Sequence, residues 1–224
     1  MDRIGSLRWR LRTFWYGVLA LFGWTGYRPF APIVAFRRDK APVREGSPPR
    51  PNWSGPPDDE IGVAVPARMV LASQPRLIIA FTDCVAYSNG FTFGIAMRSK
   101  DPIRTGFGPH EPDEKAGFNI GIRYSDGRDS RRPGFGPSPE LMNYFQEWSE
   151  GKDPPEPQGP VIGPMSGSAS DTRWDYHYFV WPLPPDGPIT ITCRWPARGL
   201  HAAGKELNGT AIRAAGLKSK SVWS

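Results

Sequence analysis

The sequence predicts a mainly β protein: an antiparallel β-sandwich with one or two short helices and a basic amphipathic helix at its N-terminus. Three stretches of alternating apolar and polar residues favour this fold, and they lie around Asn89-Gly90, Asp126-Gly127 and Asp186-Gly187. Asn-Gly and Asp-Gly pairs accept the positive φ angles of tight hairpin turns. Alternation on both sides of such a turn is typical of paired antiparallel strands.

The composition fits one folded domain with appended segments. The chain has 224 residues, and its 26 Pro and 25 Gly cluster between the alternating stretches, where they indicate loops and linkers. Nine Trp and 12 Phe supply enough bulky apolar side chains for a buried core. We predict a basic and apolar arm over residues 1–36, a proline-rich linker over 37–60 and the β-sandwich domain over 61–224.

The net charge of +6 is unevenly distributed along the chain. Residues 1–50 contain ten of the 28 Lys and Arg but only three of the 22 Asp and Glu, so this stretch carries +7 and the remainder −1. A body near neutrality lacks the broad positive surface that phosphate neutralisation needs, so we do not expect it to bind nucleic acid. Nucleic-acid binding through the arm stays open as an alternative, with an affinity that would fall steeply with salt.

The arm carries an apolar stripe. Ile4, Leu7 and Leu11 begin a series of apolar residues at intervals of three and four, as on one face of a helix. The uncharged run over residues 14–24 is shorter than the about 20 residues of a spanning helix. A membrane surface and a protein surface would each cover such a stripe. The residues expected to bind either one are Arg3, Arg8, Arg10, Arg12, Trp15 and Phe22.

Strand patterns begin at residue 61. Predicted strands cover residues 61–65, 68–72, 77–87 and 91–98, and another begins at Phe118 after a proline- and acid-rich loop. In the fourth of these segments every second residue is large and apolar, which predicts one buried face and one wet face.

A helix is predicted between the second and third hairpins. Ser138 at the N-cap, Pro139 at the first helical position and Gly151 beyond the last turn are typical helix boundaries. The Pro-, Gly- and Ser-rich residues 152–170 are predicted to be the main flexible loop of the body.

The third hairpin is expected to pair residues 174–181 with 189–195. Because the first segment is apolar on both faces, it should lie centrally in a sheet or under a cover. Ile189, Ile191 and Trp195 should point inward. A short strand at 205–207 and a short helix at 211–218 follow.

Two cysteines, Cys84 and Cys193, lie on separate predicted strands and belong to no Cys-x-x-Cys motif. Two reduced core residues are favoured, and a disulfide between the sheets is the alternative if the chain is exported.

The residues around the third hairpin also form a distinctive string. It comprises Trp174-Asp175-Tyr176, Val180-Trp181-Pro182-Leu183-Pro184-Pro185, Gly187-Pro188, Trp195-Pro196-Ala197 and Gly199. This string resembles the C-terminal part of a family of small uncharacterised proteins from high-GC Gram-positive bacteria, and the similarity extends back through the Asn89-Gly90 hairpin. The resemblance implies a bacterial protein, cytoplasmic or membrane-associated. It transfers no catalytic residue.

The strongest candidate for chemistry is the pair Asp175 and His177, two positions apart on one face of a strand. A carboxylate beside an imidazole can tune a proton-transfer group, but no motif marks a nucleophile nearby, so a hydrogen-bonded structural His is favoured. Asp83, an acid within an apolar strand, must be paired or lie at an edge.

A second polar cluster runs from His110 to Glu114. It offers one imidazole and three carboxylates, but Pro112 interrupts it and no second His lies at a useful spacing. A solvated loop is favoured over a metal site. We predict neither a metal nor a cofactor.

Taken together, these patterns predict a non-enzymatic binding or scaffolding module with a protein partner. Its basic arm could bring it to a membrane surface, and we expect a cytoplasmic location with or without that association. A hydrolase that uses Asp175 and His177 is the main alternative. The sequence does not indicate any small-molecule ligand.

Overall fold

The computed structural model describes residues 48–102, 117–133 and 137–223. The chain divides into two compact units, residues 1–40 and residues 41–224, and every described residue lies in the second unit. The predicted helix of the arm and the cluster that begins at His110 lie outside the described residues. The described part is mainly β with antiparallel sheets and two α-helices, as the sequence predicts.

The described residues contain ten strands and two α-helices. The strands are β1 (Val63–Ala64), β2 (Met69–Gln74), β3 (Leu77–Tyr87), β4 (Gly90–Ser99), β5 (Asn119–Arg123), β6 (Asp129–Pro133), β7 (Val161–Ala169), β8 (Arg173–Trp181), β9 (Pro188–Trp195) and β10 (Leu200–Asn208), and the helices are α1 (Pro139–Ser149) and α2 (Gly209–Gly216). Six strands form one sheet in the order β1-β3-β4-β8-β7, with β2 also paired to β3. The other four form a second sheet in the order β10-β9-β5-β6.

The inner faces of the two sheets contribute to one apolar cluster. The Phe93 ring centroid lies 5.3 Å from that of Phe81 and 5.4 Å from that of Tyr178, in stacked arrangements within the six-stranded sheet. Trp174 on β8 and Trp195 on β9 lie with ring centroids 5.6 Å apart. Aromatic contacts therefore join the two sheets across the core.

Two of the three predicted hairpins are confirmed. Tyr87 pairs with Gly90 at the β3–β4 turn, and Arg123 pairs with Asp129 at the β5–β6 turn. Gly127 in the second turn has a φ of 89°. Glycine adopts this left-handed conformation without a steric penalty, which is why the Asp-Gly pair marks the turn correctly.

The third predicted hairpin is wrong, although both of its strands exist. β8 pairs with β4 and β7 in the six-stranded sheet, whereas β9 pairs with β5 and β10 in the other sheet. The connection, residues 182–187, passes from one sheet to the other. The Tyr124 hydroxyl donates to the Pro182 carbonyl at 2.6 Å and the Ser125 hydroxyl to the Asp186 carbonyl at 2.6 Å. This proline-rich connection is longer and stiffer than the two-residue turn of a tight hairpin, so it does not fold the two strands against each other.

The central position predicted for the first of these strands is nevertheless confirmed, because β8 lies between β4 and β7. Its outer face is buried at Phe179 but partly exposed at Asp175 and His177. On β9, Ile189, Ile191 and Trp195 are buried in the shared core.

The helix predicted from its boundary residues is confirmed as α1. Ser138 is the N-cap, and its hydroxyl accepts a hydrogen bond from the Leu141 N–H at 3.1 Å. Gly151 follows the last turn with a φ of 79°. Near the end of the chain, the predicted strand at 205–207 is part of the longer β10, and α2 occupies most of the predicted second helix.

The flexible loop predicted over residues 152–170 is wrong in its second half, because residues 161–169 form β7. This strand pairs with β8 from Val161 opposite Trp181 to Ala169 opposite Trp174. Gly and Ser have weak strand preferences, but the free edge of β8 offers a complete row of hydrogen-bonding groups. Tertiary pairing overrides local preference here.

Part of residues 48–60, which the composition assigns to the linker, packs against β7 and α1. A 3₁₀ turn at Asn52–Ser54 places Trp53 in a small buried cluster with Leu141 of α1 and Val161 of β7. The Asn89 side-chain amide donates to the Asn52 carbonyl at 2.6 Å, which fastens the segment to the β3–β4 turn. A single Trp thus anchors a stretch that proline content alone predicts to be free.

Candidate functional site

The first candidate site is a depression of ≈ 400 Å³ on the outer face of the six-stranded sheet. Two small residues that pair on neighbouring strands, Ala80 on β3 and Ala96 on β4, line it. Larger polar side chains from β3, β4 and β8 surround these two residues, together with Arg68, which precedes β2. We call this the His177 depression, and its other lining residues are Arg68, Ile78, Thr82, Asp83, Ile95, Arg98, Asp175, Tyr176 and His177.

His177 lies against Asp83. It sits on β8 directly opposite Gly94, and its Nε2 is 3.4 Å from Asp83 Oδ2, with both side chains close to half exposed. A register shift between Phe81 and Cys84 turns Asp83 to the outer face. A Cβ at Gly94 would lie 2.1 Å from Asp83 Oδ1, so a larger residue there would have to displace the Asp83 side chain.

Asp175, the predicted partner of His177, is instead held by two arginines. Its Oδ1 accepts from Arg98 Nη2 at 2.8 Å and its Oδ2 from Arg173 Nε at 2.6 Å. Partial burial alone would raise the pKa of Asp175, but the hydrogen bonds from Arg173 and Arg98 outweigh it and the pKa is lowered. Both predicted site residues therefore line one depression, with different charged partners.

The order of groups in the depression does not match nucleophilic catalysis. The Thr82 hydroxyl donates to Asp83 Oδ1 at 2.6 Å, and His177 lies on the other carboxylate oxygen. In a catalytic triad the imidazole lies between hydroxyl and carboxylate and takes the hydroxyl proton. Here the carboxylate occupies the middle position, so His177 is not placed to deprotonate Thr82.

The two cysteines do not supply a nucleophile either. Cys84 and Cys193 are free, buried thiols, as the favoured prediction has it. Burial raises the pKa of each to about 12, which keeps both protonated at neutral pH. The described residues also contain no group of three or more His, Cys, Asp or Glu side chains that could hold a metal ion.

A second candidate site lies beside Glu60, and the sequence alone does not predict it. Four large apolar side chains within four residues in sequence of the Glu60–Ser221 bridge are exposed, and Trp223 is 85% exposed. We call the four the Trp223 patch: Ile61, Leu217, Val222 and Trp223. The only signal in the sequence is a Trp that follows Lys218 and Lys220 after the apolar period of the helix has ended.

Hydrogen bonds hold the Trp223 patch in place. Glu60 forms an isolated antiparallel bridge with Ser221, and the Val222 N–H donates to the Asp59 carbonyl at 2.8 Å. The Glu60 carboxylate accepts from the Ser219 hydroxyl at 2.8 Å and from the Ser88 N–H at 2.9 Å. The tail is therefore tied both to the segment that precedes β1 and to the β3–β4 turn.

The carboxylate at the centre of this arrangement is ionised at neutral pH. Partial burial would raise the pKa of Glu60, but the hydrogen bonds from Ser88 and Ser219 lower it below its ordinary value. The anchor of the Trp223 patch is a charge-assisted one.

Comparisons of the chain with protein-family models, with curated proteins and with solved structures found no match. Among the described residues, neither helix combines the length and the apolar character that a membrane crossing requires.

Proposed function

We propose that this chain is a non-enzymatic β-sandwich module that binds a protein partner through the Trp223 patch. The observation that carries the proposal is the 85% exposure of Trp223 in a tail that several hydrogen bonds hold in one position. Apolar residues scattered singly over a surface are ordinary, whereas a group of them surrounded by polar residues is typical of a protein-binding site.

The physical properties of the patch fit a binding role. Tryptophan is the residue type most enriched among those that dominate binding energy, since it buries a large apolar area with little loss of side-chain entropy. The bridge between Glu60 and Ser221 fixes the backbone next to Trp223 before any partner arrives. A surface that is already ordered loses less entropy on binding than a mobile one.

The charges around the patch favour a protein surface over a lipid surface. Asp58 and Asp59 precede Ile61 in sequence, and Lys218 and Lys220 lie between Leu217 and Val222, and all four charged residues are exposed. An anionic membrane would attract the lysines and repel the aspartates. A polar rim of both signs around an apolar centre is the usual composition of protein–protein interfaces.

The His177 depression supports the non-enzymatic part of the proposal. Its carboxylates already accept hydrogen bonds, those of Asp175 from Arg98 and Arg173 and that of Asp83 from Thr82. The arrangement lacks an activated nucleophile, so a hydrolase that uses Asp175 and His177 is not the function we propose.

The N-terminal arm adds a second element to the proposal, namely recruitment of the module to an anionic membrane. The supporting observation is the excess of positive charge in residues 1–50 together with the apolar series that begins at Ile4. Binding of the full chain to phosphatidylserine vesicles should weaken strongly when Arg3, Arg8, Arg10 and Arg12 are all replaced by Gln. Equal binding before and after this change would contradict the recruitment proposal.

The protein-binding proposal is tested by co-purification from the native host with the full chain and two patch variants, Trp223→Ala and Ile61→Ser. Proteins that co-purify with the wild type should be lost from both variants. Circular dichroism and thermal unfolding should be unchanged, because both side chains are largely exposed.

The matched control is Ile78→Ser, the same substitution at an exposed Ile that lines the His177 depression. This variant should keep every partner that the wild type keeps. If Ile78→Ser loses the partners while Ile61→Ser retains them, binding occurs at the depression and the Trp223 patch is not the site.

A further inference from the structure

The second half of β7 is an open sheet edge. β7 is the last strand of the six-stranded sheet, and its first half, near Ile162, is buried. There the Arg132 Nη1 of β6 donates to the Ile162 carbonyl at 2.9 Å, which closes this part of the edge against the other sheet. From residue 165 to residue 169 the strand is half-exposed or exposed at every position.

This stretch carries none of the features that protect other sheet edges in the described part of the chain. β6 exposes Asp129 and Arg131, and β10 exposes Lys205 and Glu206. At the edge of β2, the Gln74 side chain donates to the Gly199 carbonyl of the β9–β10 connection at 3.1 Å. Charged side chains and covering segments prevent strand pairing between molecules, and the described residues place neither of them at positions 165–169 of β7. Pro164 and the bulge before Ser166 protect the edge only on the side of its first half.

The open stretch is also symmetric in its residue types. Its sequence is Met-Ser-Gly-Ser-Ala, centred on Gly167, with a small hydroxyl residue on each side. When two such strands run antiparallel about a two-fold axis at Gly167, Ser166 of each molecule faces Ser168 of the other. Serine pairs in this position can form hydrogen bonds across the strands and involve no charge repulsion.

The space beside the central glycine is filled by a residue of the neighbouring strand. Gly167 lies opposite Tyr176 of β8, and a Cβ at this position would lie 2.2 Å from Tyr176 Cδ1. The Tyr176 ring therefore takes the space that a side chain at position 167 would fill on this face of the sheet. A bulge between Pro164 and Ser166 limits the open edge on one side, and the turn at Ser170 limits it on the other.

We propose that residues 165–169 of β7 pair antiparallel with the same residues of a second copy of this chain, about a two-fold axis at Gly167. The pairing makes one continuous sheet from the two six-stranded sheets. Self-complementarity is the requirement for a two-fold interface, and the symmetric, uncharged stretch meets it. The shared edge is short, so the dimer is weak and forms reversibly as the concentration rises. This interface lies apart from the Trp223 patch and does not depend on the proposed function.

Sedimentation velocity of the full chain across a wide concentration series tests the proposal. The wild type should pass from monomer to dimer, and the double substitution Ser166→Lys with Ser168→Lys should raise the dissociation constant roughly 10-fold or more, because like charges then face each other on both sides of the axis. The control Ser73→Lys, at an exposed position of β2, should dimerise like the wild type.

A charge exchange separates loss of pairing from loss of folding. The double variant Ser166→Glu with Ser168→Glu should also be monomeric alone, and an equimolar mixture of the Lys and Glu variants should form a mixed dimer. Three results would each overturn the proposal: a wild type that stays monomeric throughout, Lys variants that dimerise normally, or a mixture that fails to pair. A strand from a different protein as the natural partner would give the first of these.

Discussion

Trp53 and Trp223 lie in the two short irregular segments that precede β1 and follow α2, and the two segments differ in one respect. The first segment is fastened by the hydrogen bond that the Asn89 side chain donates to the Asn52 carbonyl. The second is fastened by the hydrogen bond that the Val222 N–H donates to the Asp59 carbonyl. Trp53 is 4% exposed and packs on the sheet, whereas Trp223 is 85% exposed. Burial makes the first Trp a contributor to stability, and exposure leaves the binding energy of the second available to a partner.

Trp53→Ala should have the largest effect on stability in this comparison. The substitution removes a buried ring from the cluster with Leu141 and Val161 and leaves a cavity, so the free energy of unfolding should fall by about 3 kcal/mol. Urea unfolding of the full chain measures the change. A loss below about 1 kcal/mol would mean that residues 48–60 contribute little to the fold.

Glu60→Gln should have an intermediate effect, because it replaces the charged anchor of the tail. The hydrogen bonds from Ser88 and Ser219 weaken, and the free energy of unfolding should fall by about 1–2 kcal/mol at neutral pH.

The effect of Glu60→Gln should also depend on pH. The pKa of Glu60 is lowered in the folded protein from its ordinary value of 4.5. The stabilisation is therefore complete above that ordinary value and disappears as the pH falls through the lower folded value. Unfolding free energies of wild type and variant should converge in acid. A difference that is constant with pH would show that the carboxylate charge is not what holds the tail.

Asp175→Asn should have a smaller effect, about 1 kcal/mol, because the carboxylate is partly exposed and its ion pairs are screened by solvent. The lowered pKa of Asp175 gives the same sign, with stabilisation lost as the pH falls. Asp58→Asn is the control, since its pair with Arg50 is at the surface and should show no measurable change. Equal effects at the two aspartates would mean that the His177 depression is no more organised than an ordinary surface.

Trp223→Ala should have the smallest effect on stability, less than about 0.5 kcal/mol, since the ring has little contact to lose. The same change should abolish binding of the partner identified by co-purification. A loss of stability comparable to that of Trp53→Ala would remove the distinction between the two segments.

Local signals explain which parts of the fold the sequence predicts correctly. The turns at Asn89 and Gly127 and the N-cap at Ser138 depend on neighbours a few residues away, so they can be identified without coordinates. The buried positions Ile189 and Ile191 follow from a period of two, which is also local.

The incorrect predictions share a different origin. β7 forms because it pairs with the free edge of β8. β8 and β9 do not pair with each other, because β8 pairs with β4 in one sheet and β9 pairs with β5 in the other. His177 is opposite Gly94 and beside Asp83, a neighbour that becomes available only through a bulge on β3. The exposure of Trp223 follows from the bridge between Glu60 and a residue far along the chain.

The sequence by itself determined most of the strands, their inward faces, the two hairpin turns and the boundaries of α1, because these follow from side-chain period and backbone preference over a few residues. The tertiary structure alone decided which strands became neighbours, which carboxylate met His177, and which tryptophan stayed in water. Those outcomes depend on competition among groups distant in sequence for the same hydrogen bonds and the same buried space, and hydrophobic burial settles that competition across the whole domain at once.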